Sequence, residues 1–356
     1  MFFRSQSSAL GIDIGTSSIK VIKLKNEKDY LELENYGEYR PSSLEDKPLL
    51  IESSSFFIFE DELSVIIKRI LKEAGIKEKK VSFSLPVFSS FFTVVEFPIM
   101  NPEEIPGAVN FQAQQYIPVP LEDVVLDWQV IEEVEESRKG GKIKILLVAV
   151  PKDIIEKYSK LARDSELKLE ALEIESFAFT RSLVGESKDP CLILDIGGRT
   201  SSVTIVDGGV IRFSHSLDIS GFTFTKIISQ RLNISIERAE EIKKIKGIGN
   251  ASDDLVSSAI YSLIDKMIFS IERFINEFYS LNPGKEIEKI ILSGGGSLMP
   301  GLREYFLSKL KREIEVGNPL KDIIYSSALE KSIKELGPFF ATSIGLASRS
   351  IQIRQK

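Results

Sequence analysis

The stretch GIDIGTSSIKVIKL, residues 11–24, places an apolar strand directly before Asp13, a glycine and three small hydroxyl residues, after which a second strand begins. The stretch CLILDIGGRTSSVTIV, residues 191–206, repeats this arrangement around Asp195. Small residues let a backbone approach its ligand closely, and clustered backbone N–H groups bind anions. Two such turns that face each other across a cleft predict a site that clamps the phosphates of one nucleotide from both sides.

The aspartates at the two strand ends predict a divalent cation beside those phosphates. Asp13 and Asp195 cannot bind a polyphosphate directly, but they can hold Mg²⁺ through its waters, because Mg²⁺ usually keeps several water ligands in proteins. Lys20 follows Asp13 by seven residues and is expected to add a point charge at the outer phosphates. The pattern therefore predicts a nucleotide bound together with Mg²⁺.

Composition is that of an ordinary soluble globular protein: 43% of the 356 residues are hydrophobic, 28% are charged, and the net charge is −6. This acidic balance argues against a general nucleic-acid binder.

A single cysteine, Cys191, cannot form an internal disulfide, which favours a reducing cytosol. The single histidine, His215, is interpreted as a plain strand residue. No apolar run reaches the roughly 18 residues of a membrane span, so direct membrane insertion is not expected.

The order of elements predicts an α/β protein with an internal duplication. Each half contains a strand, a hydroxyl-rich turn, a second strand, a short turn and a third strand. Between the halves, residues 86–166 are predicted to form a compact β-α-β-β-α unit. Its first helix begins either at Pro102 or nearer Pro106, because a proline inside a helix removes a backbone donor. Further on, a strand is predicted to become a helix near Glu175.

Five segments, taken in order, resemble the motifs of the actin-like ATPase superfamily, which includes actin, heat-shock chaperone ATPases, sugar kinases and the division protein FtsA. GIDIGTSSIK (11–20) resembles the first phosphate motif, LDIGGRTSS (194–202) the second, and ILSGGGSLMPGL (291–302) the adenosine motif. Walker A and GxGxxG loops are absent, so P-loop and Rossmann sites are excluded. The resemblance implies an actin-like ATPase fold of two duplicated ribonuclease H-like lobes that bind ATP.

Two further segments carry the resemblance. ALEIESFAFTR (171–181) resembles the connecting segment whose acidic residue orients the attacking water, a role that falls on Glu175. RAEEIKKIKG (238–247) resembles the helix that presents Glu240 and Lys243 to ribose and adenine, although an ordinary amphipathic helix surface has the same composition.

The resemblance assigns roles residue by residue. Asp13, Glu175 and Asp195 are the expected catalytic residues, and the two aspartates are the expected Mg²⁺ site, through water. Arg199 could touch phosphate or face solvent. The expected cofactor-binding residues are Gly15, Thr16, Ser17, Ser18, Lys20, Gly197, Gly198, Arg199, Thr200, Ser201, Glu240, Lys243, Gly294, Gly295, Gly296 and Ser297.

The unit at 86–166 selects a branch of the superfamily, since fold alone does not define function. It is similar to subdomain 1C of FtsA. The segment at 95–131, densest in QQYIPVPLEDVVLDWQV, resembles the signature of the PilM family of type IV pilus assembly proteins, as does DISGFTFT (218–225). The implied subdomains are 1A (1–85, 167–190 and 337–356), 1C (86–166), 2A (191–225 and 285–336) and 2B (226–284).

This resemblance implies a cytoplasmic ATP-binding scaffold that is held at the inner membrane by a PilN-like protein. In such proteins the cytosolic N-terminal segment of PilN lies in a groove between subdomains 1A and 1C. FtsA instead uses a C-terminal amphipathic helix, and SIQIRQK (350–356) is not expected to supply one. Phe111 and Tyr116 could line the groove, but the core beneath their helix is the preferred interpretation.

Three alternatives stay open. An FtsA-like membrane adaptor would form filaments, so self-association is possible. An assembly component of a type II secretion system has similar architecture. A metabolite kinase needs a further catalytic aspartate motif, and none is found. Because no arginine finger is recognised, at most slow ATPase activity is expected from the isolated protein.

Overall fold

The computed structural model describes residues 8–27, 30–41, 51–52, 55–56, 60–134, 141–248, 255–330 and 337–352. The last four residues of the C-terminal segment, 353–356, lie outside these ranges. None of the helices in the described ranges is both long enough and apolar enough to cross a lipid bilayer.

The elements are numbered in chain order. They are β1 Ser8–Ile14, β2 Ile19–Glu27, β3 Tyr30–Tyr39, β4 Ile51–Glu52, β5 Ser55–Phe56, α1 Glu60–Glu73, β6 Lys80–Leu85, β7 Phe91–Pro98, α2 Ile105–Tyr116, β8 Val124–Val134, β9 Lys142–Pro151, α3 Lys152–Asp164, β10 Lys168–Ile174, α4 Glu175–Val184, β11 Cys191–Ile196, β12 Ser201–Asp207, β13 Val210–Leu217, α5 Gly221–Leu232, α6 Ile236–Lys246, α7 Leu255–Leu281, β14 Lys289–Ser293, α8 Leu302–Leu310, β15 Glu313–Val316, β16 Ile323–Ile324 and α9 Ala341–Gln352.

Two sheets are built in the same way, which confirms the α/β class and the actin-like fold. In the first sheet, ordered β10-β6-β1-β2-β3-β16, strands β1, β2 and β3 form an antiparallel meander and β6 runs parallel to β1. In the second, ordered β13-β12-β11-β14-β15, strands β11 to β13 form the same meander and β14 runs parallel to β11. His215 is a residue of β13, in agreement with its interpretation.

A third sheet, ordered β7-β9-β8, forms a small unit with α2 on one face; residues 91–151 are called the three-stranded unit below. Val109 and Ala113 of α2 pack with Phe97 and Ile145 of the sheet. Helix α2 begins at Ile105 with Pro106 in its first turn, so the later of the two predicted starts is correct. A proline is tolerated there because the first N–H groups of a helix have no intrahelical acceptor.

Two elements, α3 and β16, pack against the first sheet rather than within the subdomains predicted to contain them. Helix α3, which the predicted 1C unit (86–166) includes, buries Tyr158 and Leu161 in the core of the first sheet, against α1. Strand β16, predicted within 2A (285–336), pairs with β3 of that same sheet through Ile323. Both elements therefore belong to the lobe built on the first sheet, called the first lobe below, and the chain returns to it earlier than expected. The lobe built on the second sheet is called the second lobe. The other subdomain boundaries stay predictions.

Helices α4 and α9 cross in close contact. A Cβ on Gly345 of α9 would lie 1.8 Å from the carbonyl oxygen of Ala178 in α4, so only glycine fits the crossing. Arg181 of α4 donates to the Gly345 carbonyl (2.9 Å) and to Glu173 (2.5 Å). The crossing places Glu175, the first residue of α4, beside the ends of β1 and β11.

Candidate functional site

A cavity of about 620 Å³ lies between the two lobes, where β1, β11 and β14 end. Its size suits a small-molecule site. Two predicted residues do not line it: Ser201 opens β12, and Ser297 donates its hydroxyl to the Gly294 carbonyl (2.6 Å). The predicted residues that do line the cavity are Asp13, Gly15, Thr16, Ser17, Ser18, Lys20, Glu175, Asp195, Gly197, Gly198, Arg199, Thr200, Glu240, Lys243, Gly294, Gly295 and Gly296.

The first phosphate turn (residues 15–18) and the second (residues 197–200) touch each other. The Arg199 amide donates to the Thr16 hydroxyl at 3.1 Å. A Cβ on Gly198 would lie 1.8 Å from the Ser17 hydroxyl oxygen and 2.5 Å from the Ser17 Cβ, so the two turns are in direct contact at this position. The two turns thus meet at one wall of the same cavity rather than facing each other across it, and their joint contact with a phosphate chain stays a prediction.

Asp13 belongs to a buried hydrogen-bond network at the end of β1. Its carboxylate accepts a hydrogen bond from Ser84 (2.7 Å) and forms an ion pair with Lys20 (2.7 Å). The spacing of seven residues follows from the hairpin, since Asp13 and Lys20 are directly opposed in the β1–β2 ladder. Only 4% of Asp13 is exposed, so this aspartate also contributes to the packing of the strand end.

Two partly buried acids of the cavity, Glu175 and Asp195, have raised pKa values. Burial raises the pKa of Glu175 to about 8, and the charges of Asp195 and Asp13 add to the rise. Burial likewise raises the pKa of Asp195 to about 6, with Lys20 and a hydrogen bond from Ser293 opposing the shift. Only the Val87 amide (3.2 Å) donates to Glu175 in the described part of the chain.

Two partly buried acids with raised pKa values beside Asp13 fit a site for a divalent cation. A bound cation stabilises the ionised form of nearby acids, and Mg²⁺ prefers oxygen ligands with several waters retained. Among the described residues, no group of three or more histidine, cysteine or acidic side chains is arranged to hold a metal by itself. A cation here would rest on Asp13 and Asp195 together with water and a phosphate.

Lys243 is a buried structural ammonium. Its Nζ donates to the Gly221 carbonyl (2.9 Å), the Thr225 hydroxyl (2.9 Å) and Glu240 (2.6 Å), which uses all three donors of an ammonium group. Burial lowers the pKa of Lys243, and this lysine holds the pKa of Glu240 below its usual range although burial acts the other way. The pair fastens α5 to α6, so RAEEIKKIKG is not merely a solvated surface. Contact of Glu240 and Lys243 with ribose and adenine stays a prediction.

Several lining residues escaped sequence reasoning. Phe222 is the second residue of α5, and its ring lies 4.6 Å from the Arg199 guanidinium. It belongs to the segment DISGFTFT, whose resemblance to the PilM family could have identified it. Phe339 precedes α9 and Arg40 follows β3; nothing in their local sequence marks them.

The preferred interpretation of Phe111 and Tyr116 is wrong. Phe111 is 73% exposed and Tyr116 is 42% exposed, whereas Val109 and Ala113 of the same helix are fully buried. The sheet beneath α2 accepts one face of the helix, and these two aromatics project from another. The identity of the groove residues stays a prediction.

Comparison with known proteins agrees with this geometry. The family model of the type IV pilus assembly protein PilM matches residues 11–351. A chain of the solved PilM-PilN type IV pilus biogenesis complex is 25% identical, with a TM-score of 0.83 over 98% of this chain and 99% of that one. MreB 5 of Spiroplasma citri bound to AMPPNP shares the fold (TM-score 0.55, 12% identity, 98% of each chain).

Among curated proteins, the cell division protein FtsA of Enterococcus faecalis is 21% identical over 90% of this chain and 81% of its own length. A match at such identity indicates the actin-like superfamily, which many different functions share. The PilM family model, in contrast, extends from β1 into α9, through the three-stranded unit. The chain therefore belongs to the PilM family of type IV pilus assembly proteins.

Proposed function

We propose that this protein is a cytoplasmic ATP-binding scaffold of type IV pilus assembly, which binds the cytosolic N-terminal segment of a PilN-like inner-membrane protein. The observation that carries the proposal is the match to a chain of the PilM-PilN complex over 98% of the sequence, with the three-stranded unit included. A partner that spans the membrane would locate the protein at the inner membrane.

The cavity between the lobes is the proposed ATP site. The MreB 5 neighbour is bound to AMPPNP, and here the two phosphate turns present their backbones to a cavity of sufficient size. Asp13 and Asp195 would hold Mg²⁺ through water, and Lys20 would stand beside the phosphates. Mg-ATP bound in this cavity would contact residues of both lobes at the same time. Its binding therefore favours a closed arrangement of the lobes.

The isolated protein is proposed to hydrolyse ATP slowly at most, because no arginine finger is recognised in its sequence. Without nucleotide, the carboxyl group of Glu175 has a pKa of about 8, is mostly protonated near pH 7 and cannot accept a proton from an attacking water. A cation beside Asp13 and Asp195 would lower that pKa and restore the carboxylate. Turnover of many ATP molecules per second by the isolated protein, measured by phosphate release, would refute this part of the proposal.

The test is a titration of the purified protein with a synthetic peptide of the PilN-like partner's cytosolic N-terminal segment, with and without Mg-ATP. We expect saturable binding whose affinity changes at least about threefold with nucleotide, and no binding of a scrambled peptide. At an Mg-ATP concentration just sufficient to saturate the wild type, Asp13→Asn should bind the peptide with an affinity closer to that of the nucleotide-free protein.

Absence of peptide binding in both states would contradict the scaffold proposal. Sedimentation with ATP would then examine the filament-forming alternative, in which pelleting increases with protein concentration.

A further inference from the structure

Arg40 reaches the nucleotide cavity from the first lobe. Its neighbour Tyr39 ends β3 and pairs with Ile19, the first residue of β2. Arg40 therefore leaves the sheet at the same edge as the first phosphate turn, which β2 follows. Arg40 and Pro41 both line the cavity.

An aromatic ring holds this arginine at the cavity wall. The guanidinium carbon of Arg40 lies 4.5 Å from the ring centroid of Phe339, and the Lys20 ammonium lies 4.5 Å from the same centroid. The two cations are thus no more than twice that distance apart. The Phe339 ring lies close to Gly295, where a Cβ would be 3.2 Å from the Phe339 Cδ2 atom, and it packs edge to face with Phe340 (5.3 Å between ring centroids).

Two cationic side chains, Lys20 and Arg40, lie beside this ring at the cavity wall. Lys20 and Arg40 each have a carboxylate partner, Asp13 and Glu38 respectively. Glu38 contacts Arg40 through the Nε atom, and Glu38 does not line the cavity. The fork of the two Nη groups is the part of a guanidinium that matches the geometry of a phosphate. On the opposite wall, all three donors of Lys243 are already used.

We propose that Arg40 binds the phosphate chain of the nucleotide and supplies, from the first lobe, a phosphate contact beyond the two phosphate turns. The inference rests on the proposed function, since it takes the cavity to be an ATP site. The stack on Phe339 restricts the arginine side chain before the ligand arrives, which reduces the entropy lost when a phosphate is bound. Arg40 thereby favours nucleotides over nucleosides.

The experiment measures the affinities of ADP, a non-hydrolysable ATP analogue and adenosine by calorimetry, for the wild type, Arg40→Gln, Arg40→Lys and Arg69→Gln. Arg69 is the matched control, because it stacks on an aromatic ring of the same lobe (Tyr39, 5.4 Å) but does not line the cavity. We expect Arg40→Gln to weaken both phosphorylated ligands by at least about 10-fold and adenosine by less than about twofold, since a charge-assisted contact is lost.

Arg40→Lys should recover part of that loss, because it keeps the charge without the fork, and Arg69→Gln should bind like the wild type. ADP affinity of Arg40→Gln within twofold of the wild type would overturn the inference. An equal loss for ADP and adenosine would also overturn it, as that pattern indicates a disturbed cavity. If Arg40→Gln does not fold, the affinities of ADP and adenosine are compared between Arg40→Lys and the wild type instead. We then expect the affinity for ADP to fall about threefold and that for adenosine to stay unchanged. A wild type that binds none of the three ligands would instead contradict the proposed function.

Discussion

The protonation state of Glu175 links the structure of the cavity to its chemistry. This residue begins α4, and burial together with the charges of Asp195 and Asp13 raises its pKa to about 8. The folded protein therefore binds a proton that the unfolded chain releases above its ordinary pKa of 4.5. Stability from this group is fully present below that ordinary pKa and is lost as the pH rises towards 8.

We expect Glu175→Gln to flatten the pH dependence of stability. In the wild type the free energy of unfolding should fall between about pH 5 and pH 8, with a slope of at most about 1.4 kcal/mol per pH unit from this group. Urea unfolding at a series of pH values measures the slope. The control is Glu277→Gln on the exposed face of α7, which should leave the slope unchanged. Equal slopes in the wild type and Glu175→Gln would contradict the assignment.

Asp13 is buried and paired, so a substitution there is expected to change both ligand binding and the stability of the fold. Asp13→Asn keeps an oxygen that can accept from Ser84 but no longer balances Lys20. We expect a loss of about 1 kcal/mol in stability and a reduction of Mg-ATP affinity by about 10-fold or more. Calorimetry with and without Mg²⁺ measures the effect. If Mg-ATP affinity is unchanged, Asp13 serves packing alone.

At the scale of elements, the crossing of α4 and α9 depends on one glycine. Gly345→Ala would place a methyl group 1.8 Å from the Ala178 carbonyl oxygen, and the two helices would have to separate. We expect a loss of about 3 kcal/mol or failure to fold. Gly107→Ala in α2 is the control: nothing lies within 4 Å of its Cβ, so stability should be unchanged or slightly higher. The midpoints of thermal unfolding of both variants test this expectation. Similar midpoints would show that α4 and α9 can accommodate the added methyl group.

Helix α2 presents a buried face and an exposed face. Val109→Ala removes a fully buried side chain from the three-stranded unit and should reduce the free energy of unfolding by about 2 kcal/mol. Phe111→Ser, two residues further on, should change it by less than about 0.5 kcal/mol, because that ring is largely exposed. Denaturant titrations measure both. A large loss in Phe111→Ser would mean that its ring is covered in solution.

At the scale of the whole molecule, Arg212 connects the second lobe to the three-stranded unit. From β13 it contacts Glu132 of β8 at 3.0 Å and Asp207 of β12 at 3.3 Å, and only 14% of its side chain is exposed. Glu132 also pairs with Lys144 of β9 at 3.2 Å. We expect a shift of the second lobe to act on the sheet of the three-stranded unit through these ion pairs.

We expect Arg212→Gln to lower the free energy of unfolding by about 2 kcal/mol, since it leaves two partly buried carboxylates with fewer partners. It should also reduce the effect of Mg-ATP on the affinity for the partner peptide. Lys142→Gln is the control, because its pair with Glu96 is exposed and lies within the three-stranded unit. An unchanged nucleotide effect in Arg212→Gln would show that the lobes communicate with the partner site by another route.

The sequence by itself determined the local features of this protein. Alternation of apolar residues, two Asp-Ile-Gly turns and the start of α4 at Glu175 were readable because each depends on neighbours along the chain. Pro106 limited the start of α2 for the same reason, since a proline lacks the donor that a helix interior needs. The duplicated order of strands then indicated two lobes and one cavity between them.

Only the tertiary structure decided which surfaces meet. The apolar stripe of α3 could cover either neighbouring sheet, and it packs on the first; the short β16 joins a sheet far from it in sequence. The saturation of Lys243 and the approach of Arg40 to the cavity depend on contacts with remote segments. Local pattern fixes which face of an element is apolar, but the partner of that face is set by packing of the whole chain, which no segment encodes alone.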